Sequence, residues 1–514
     1  MTDIVASERN SHIRFWIVAV LFIVSSINYA SRATLSFAAV PLSKEITIST
    51  VQLGYIFSAF GWSYVAGQIP GGALLDRYGS RPVYLWSITL WAIFTMAQAF
   101  VSSLAFIPVF VSLFALRFAL GFAECPSFPA NARIVANWFP NSERGTASAI
   151  FNSSQYFSLV AFAPLMGWLA QDYGWRSVFL AMGIIGLVGA ALFWTVVQSP
   201  SRHKSISKRE YDYIESGGAL VNLDRPNTPK QSIPWHIIVP FVVFFPLSLI
   251  LLAMYAAIRA RPKDERGSAV AAPAADAGLI SISGGGGLRS EIYLADPAPA
   301  GTPPPVTLEI FLQLLFKRML LGIYLAQYCI TALTYFYATW FPIYLVKARH
   351  MSLAHAGFAA AGPAIAGFVG GVLGGVISDL LLKKGTPLSS ARKIPIIIGL
   401  VISCAILACN YTDSQGLIML FMSIAFFGKG VAALGWAVMS DAAPREATGL
   451  SGSIFNLFGN AAGIFTPIAI GYILAATGNN WDMALLFVFA HSIVAMVSYL
   501  FIAGTIKRVV LRTA

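Results

Sequence analysis

Charge is what this chain has least of. Asp, Glu, Lys and Arg together supply 11% of its 514 residues, against about a quarter in a soluble domain. So little charge cannot coat a soluble core of this size, which excludes an ordinary water-soluble enzyme. Acids are the scarcer sign, 22 against 34 Lys and Arg, and the net charge is +12. Cysteine is nearly absent. Cys125, Cys329, Cys404 and Cys409 are scattered through apolar stretches, with neither metal-ligand spacing nor a disulfide framework. No zinc spacing, phosphate loop, dinucleotide fingerprint or Ser-His-Asp set occurs. The expectation is therefore no metal, no cofactor and no enzyme activity. Nor is a nucleic-acid partner expected, because the basic residues sit in short loops beside apolar runs. No cleavable leader is expected: the apolar run from Phe15 to Val40 is too long for a signal peptide and reads as a first membrane span.

What the chain does have is hydrophobicity, at 57% of residues. Apolar spans fall at 15–40, 51–75, 82–103, 106–131, 145–170 and 175–198, each near the ~20 residues a bilayer requires. Six more follow at 319–346, 352–382, 393–411, 415–440, 446–475 and 481–506. The loops after the second, fourth, eighth and tenth spans carry Arg77, Arg81, Arg144, Lys383, Lys384, Arg392, Lys393 and Arg445. That bias puts both termini and the central loop in the cytoplasm. The fold class expected is all-α: twelve transmembrane helices in two six-helix pseudo-symmetric bundles, residues 1–198 and 318–514. Residues 199–317 form a cytoplasmic central loop. Its segment 234–305 holds an apolar run and a Gly/Pro-rich tract, expected to be disordered without inverting the second half.

The two halves echo one another. PNSERGTASAIFN, starting at Pro140, matches PREATGLSGSIFN, starting at Pro444, and Pro164 and Pro467 follow. Gly72-Ala-Leu-Leu-Asp76 is matched by Gly375-Val-Ile-Ser-Asp379. Internal repeats in a hydrophobic chain mark secondary transporters, with solute held between the halves.

Charges inside spans are costly, roughly 2.5–3.5 kcal/mol each on insertion scales. LRFALGFAECPSFPA, Leu116 to Ala130, carries Arg117 and Glu124 and is broken by Pro126 and Pro129. Seven residues apart on a helix, the two charges share a face about 10 Å apart along the axis. Arg32 in span one and Lys429 in span ten join them. Three cations and one acid leave excess positive charge, which an anionic small molecule neutralises, and arginine binds a carboxylate bidentately. Glu124 falls at the same depth as the cations, as the candidate proton carrier, with Arg117 as its expected partner. Cations on both halves suit a solute with a carboxylate at each end. Tyr335, Thr334 and Trp436 are candidate lining. His491 reads as a packed helix residue.

GGALLDRYGSRP, Gly71 to Pro82, places Gly72, Asp76, Arg77, Gly79 and Arg81 between spans two and three. Asp76 is positioned to cap a neighbouring helix, and the arginines to meet acids. This pattern resembles the signature loop of the major facilitator superfamily, and the resemblance implies a conformational role, latching an outward-open state, with Asp379 as its echo. NYASRATLSFA, FSAFGWSYVAGQIPGG, GFAECPSFPANARIVANWFP and GLSGSIFNLFGNAAGIFTPIAIGY resemble the anion:cation symporter branch, above all its hexarate and galactonate importers. The likeness covers nearly everything outside 234–305. It implies proton symport of a sugar acid by a monomer of a bacterial-type inner membrane, with the proton gradient as energy source. It also implies that Tyr29, Gln155 and Asn456 line the pocket. One position departs from the pattern. Ser31 stands where the family commonly has a second proton-linked Asp, which leaves an exchanger, a uniporter or a coupling-defective symporter open. Without that Asp, Arg32 is expected to be freer to hold solute. A transporter-like sensor is the alternative from another class.

Overall fold

A computed structural model describes residues 11–103, 107–223, 308–444 and 447–511; the atypical segment 234–305 lies outside them. The first half contains α1 (Ile13–Glu45), α2 (Thr50–Tyr78), α3 (Ser80–Ala97), α4 (Val109–Glu124), α5 (Ser127–Trp138), α6 (Arg144–Asp172) and α7 (Trp175–Val196). A short α8 (Lys208–Ser216) and α9 (Leu308–Phe316) flank the middle of the chain. The second half contains α10 (Arg318–Thr339), α11 (Phe341–Lys347), α12 (Leu353–Lys383), α13 (Leu388–Ser403), α14 (Gln415–Val431), α15 (Gly435–Ala442), α16 (Thr448–Ala476) and α17 (Trp481–Val497). Short 3₁₀ turns extend α3 and α13, while α4–α5, α10–α11 and α14–α15 stack end to end. Twelve helical rods result among the described residues, as the hydropathy pattern requires. In lipid a helix satisfies every backbone group within its own segment.

Ten of the rods are apolar enough to span by composition alone. The other two, α2 and α6, are the more polar, and both face the opposite half. The fourth rod runs past its expected end at residue 131 to Trp138. Pro126 and Pro129 break the α-helix once and do not end the span, because Pro129 falls in the first turn of α5, where a missing N–H costs nothing.

α1 begins without a local side-chain cap. Glu210 of α8 supplies one from a distance, accepting from the backbone N–H of Ile13 at 2.9 Å and of Arg14 at 3.2 Å, and from the Ser11 hydroxyl at 2.5 Å. The Arg14 guanidinium bonds Glu210 and Glu143, and Tyr213 donates to Glu143. Burial raises the pKa of Glu210, but these donors outweigh it and hold the carboxyl below its ordinary value. The start of the central segment is thereby clamped to the first half.

The halves meet tightly at one end. Ser36 donates to the Ala338 carbonyl (2.6 Å), the Tyr55 and Tyr472 hydroxyls are 3.3 Å apart, and the Ala354 N–H donates to Gln171 (3.0 Å). Glycine makes this approach possible. A Cβ on Gly54 would lie 2.6 Å from the Pro467 carbonyl oxygen, and one on Gly357 2.5 Å from that of Ala163. The repeated prolines thus mark equivalent seams, α2 on α16 and α6 on α12. At the other end, a Cβ on Gly72, Gly145 or Gly375 would meet nothing within 4 Å. Gly357→Val, clashing with backbone that cannot rotate away, is expected to pry the tight end apart. Spin labels at Thr47 and Thr477 should then show a longer-distance population; an unchanged distribution would refute this account of the seam.

Candidate solute site

The site begins on one face of α1. Asn28, Tyr29 and Arg32 share it through helical spacing. Arg32 Nε donates to Glu124 Oε2 at 2.8 Å and Nη2 to Asn28 Oδ1 at 3.2 Å. Its guanidinium lies 4.8 Å from the Tyr29 ring centroid, 4.7 Å from Phe60 and 4.9 Å from Tyr64. Three ring faces around one cation offset much of the cost of taking it from water. Phe60 and Tyr64 stack on each other one turn apart on α2. They were not among the residues expected from sequence. The i, i+4 aromatic pair was visible, but nothing in α2 alone says that a cation lies opposite it.

α4 brings the acid. Gly121 lets it close on α2, since a Cβ there would sit 2.5 Å from the Phe60 carbonyl oxygen. Glu124 is wholly buried. Its partner is Arg32, not the expected Arg117. Arg117 lies two turns below and reaches sideways, its Nη2 donating to the Arg32 carbonyl at 3.1 Å. Nor is Arg32 freed by the serine before it. Ser31 turns its hydroxyl to the Ile27 carbonyl at 3.0 Å, and Arg32 is engaged by Glu124 instead. Arg117 Nε and Nη1 and Glu124 Oε1 are buried without a protein partner. One carboxylate thus stands among two guanidiniums with hydrogen-bonding capacity left on both signs.

Other expected residues are distributed around this centre. Tyr335 of α10 packs against Gly463 and lies within electrostatic reach of Arg32 and Glu124, so it is the second half's approach to the charges. Lys429 is buried at 5% exposure on α14, against the rings of Phe426 and Tyr156. It does not snorkel to an interface. Gln155 is half-buried on α6. Asn456 accepts from Asn460 at 3.0 Å. Trp436 is 54% exposed, edge-on to Phe455. Thr334 bonds its own helix. His491 bonds the Phe487 carbonyl and packs on Tyr328, a packed residue as expected.

Asp76 of the loop motif pairs with Arg133 of α5. Arg77 lies over Tyr78, and Arg81 donates to the Trp194 carbonyl at 2.8 Å and stacks on its ring. Gly79, at φ 86° and ψ 163°, occupies backbone space that only glycine enters freely. In the second half the pairing differs: Arg392 of α13 bonds both Asp379 (3.3 Å) and Asp441 (2.8 Å).

Twelve membrane helices in two halves, with a buried charged cluster in the first that Tyr335 of the second approaches, are the build of a solute transporter rather than an enzyme. The match to the Major Facilitator Superfamily covers residues 21–390, and the chain belongs to that family. It is 46% identical over 505 residues, 98% of this chain and 96% of the relative, to the probable galactarate/D-glucarate transporter GudP of Escherichia coli (strain K12). It is 34% identical over 496 residues, 96% and 97% of the two chains, to the D-galactonate transporter of Escherichia coli O6:H1. Among solved structures, the inward-open xylose transporter XylE from E. coli matches with a TM-score of 0.59 at 14% identity, covering 96% of each chain. This structural match shows the fold.

Proposed function

We propose that this protein imports a sugar-acid dianion of the galactarate or D-glucarate type, in symport with protons, by alternating access. The observation that carries the reading is the buried charge set. Glu124 is shared with Arg32, while Arg117 keeps two N–H groups without a protein partner. Lys429 has no carboxylate partner among the described residues. An anion with two carboxylates satisfies what the protein leaves over. In this reading Arg32 and Lys429 hold the carboxylates, Arg117 supports the first, and Tyr29, Gln155 and Asn456 read hydroxyls. Tyr335 and Trp436 line the path. The names of the relatives, galactarate/D-glucarate and D-galactonate transporters, support the substrate class.

Coupling follows from competition. A solute carboxylate at Arg32 adds a second negative charge beside Glu124, so solute entry favours protonated Glu124, and proton loss returns Arg32 to it. In this reading the loosely joined end and both termini face the cytoplasm of a bacterial inner membrane, which the Lys- and Arg-bearing loops support. The tight end is then external and the conformation inward-open. Asp76, held by Arg133 within its own half, fits a latch disengaged in this state. The protein acts as a monomer and needs no cofactor beyond the proton gradient. Exchange or uniport is the second reading, carried by Ser31, which cannot hold a second proton.

Vesicle uptake decides. Galactarate and D-glucarate are expected to accumulate when the outside is acidified. Uptake that ignores the imposed gradient removes symport, and no uptake of either dianion removes the substrate class.

A further inference from the structure

We infer that Tyr156 is a positioning residue that holds the ammonium of Lys429 for the second carboxylate of the solute. This rests on the dianion reading above. Lys429 Nζ lies 5.1 Å from the ring centroid of Phe426 and 5.6 Å from that of Tyr156. Both are within the ~6 Å at which a ring face attracts a cation. Phe426 is a near neighbour on the same helix. Tyr156 is not: it comes from α6, in the opposite half.

The ring cluster is braced on every side. Tyr156 meets Phe426 edge-on at 6.3 Å and Phe368 at 6.1 Å. Phe426 packs on Tyr337 at 4.1 Å, whose hydroxyl donates to the Met422 carbonyl. Gly367 of α12 makes room, because a Cβ there would lie 2.7 Å from Phe426 and 3.1 Å from Tyr156. A free lysine side chain carries up to about 2 kcal/mol of rotamer entropy. Rings that confine it on one side remove much of that cost from binding. The ammonium keeps donors for a carboxylate on its other side.

The consequence concerns specificity. Lys429 is preorganised only while α6 of one half stands against α12 and α14 of the other. A solute that bridges the halves gains the second contact there; a monocarboxylate gains nothing from it. Tyr156 also follows Gln155, so one turn of α6 serves both a hydroxyl reader and the ammonium clamp.

The test replaces Tyr156 by phenylalanine and then by its mono-, di- and trifluorinated forms, which keep the shape and progressively weaken the ring's attraction for a cation. The KM for galactarate should rise stepwise, by about tenfold across the series, with galactonate KM and both kcat values flat. On a Lys429→Met background the galactarate series should also be flat. Tyr156→Leu should match the trifluoro form, and Tyr156→Phe should match the wild type. A flat galactarate series in the wild-type background, or galactonate moving in parallel, overturns the assignment. Wild type that transports no dicarboxylate overturns the functional reading instead, whatever the series shows.

Discussion

Glu124→Gln is expected to abolish accumulation driven by a pH gradient while leaving solute exchange intact. Each coupled proton makes one unit of pH worth about 1.4 kcal/mol, or about tenfold in accumulation. Glutamine fits the same space and still accepts from Arg32 Nε, now at 2.8 Å from Glu124 Oε2. It cannot gain or lose a proton. Arg32 and Arg117 then lose their carboxylate, so the anion should bind at least as well. Energised uptake and counterflow, measured in the same vesicles, separate the two effects. Accumulation that keeps its dependence on external pH would place the proton elsewhere and end the coupling scheme.

The second large effect is expected at Arg32. Arg32→Gln removes the guanidinium that both Glu124 and the solute use. Charge-assisted hydrogen bonds are worth about 1.5–3 kcal/mol each, so losing a bidentate pair should weaken dianion binding by roughly 100-fold or more. Glu124, fully buried, would also be left unpaired, which typically costs about 3–5 kcal/mol of stability. The double variant Arg32→Gln/Glu124→Gln separates these. Its thermal unfolding should recover most of the loss, while binding by calorimetry should not recover. Recovery of binding in the double variant would show that Arg32 serves only to hold Glu124.

These two residues show what could be read in advance. Both were visible as charges inside apolar spans, where ionisable side chains are rarely idle. Their pairing was not visible. Helical spacing pointed to Arg117 and Glu124, which share a face of one rod. Arg32 reaches Glu124 across two helices, an approach set by Gly121 against the backbone of Phe60. Nothing in the sequence marks Phe60, Tyr64 or Tyr156 as facing a cation, because these ring–cation contacts are made between helices. The cap that Glu210 gives α1 spans 196 residues and more of sequence, beyond any local pattern.

The sequence by itself determined the twelve spans, the repeat and the cationic bias of the interior. Composition, period and loop charge are local quantities, and the bilayer leaves the helix as the one way for such a segment to satisfy its backbone. Only the tertiary structure decided that Arg32 holds Glu124, that Lys429 lies against Tyr156 of the other half, and which end is sealed. Those outcomes depend on how closely helices approach, which glycines such as Gly54, Gly121 and Gly357 permit. The distance between two helices is not a property of either one.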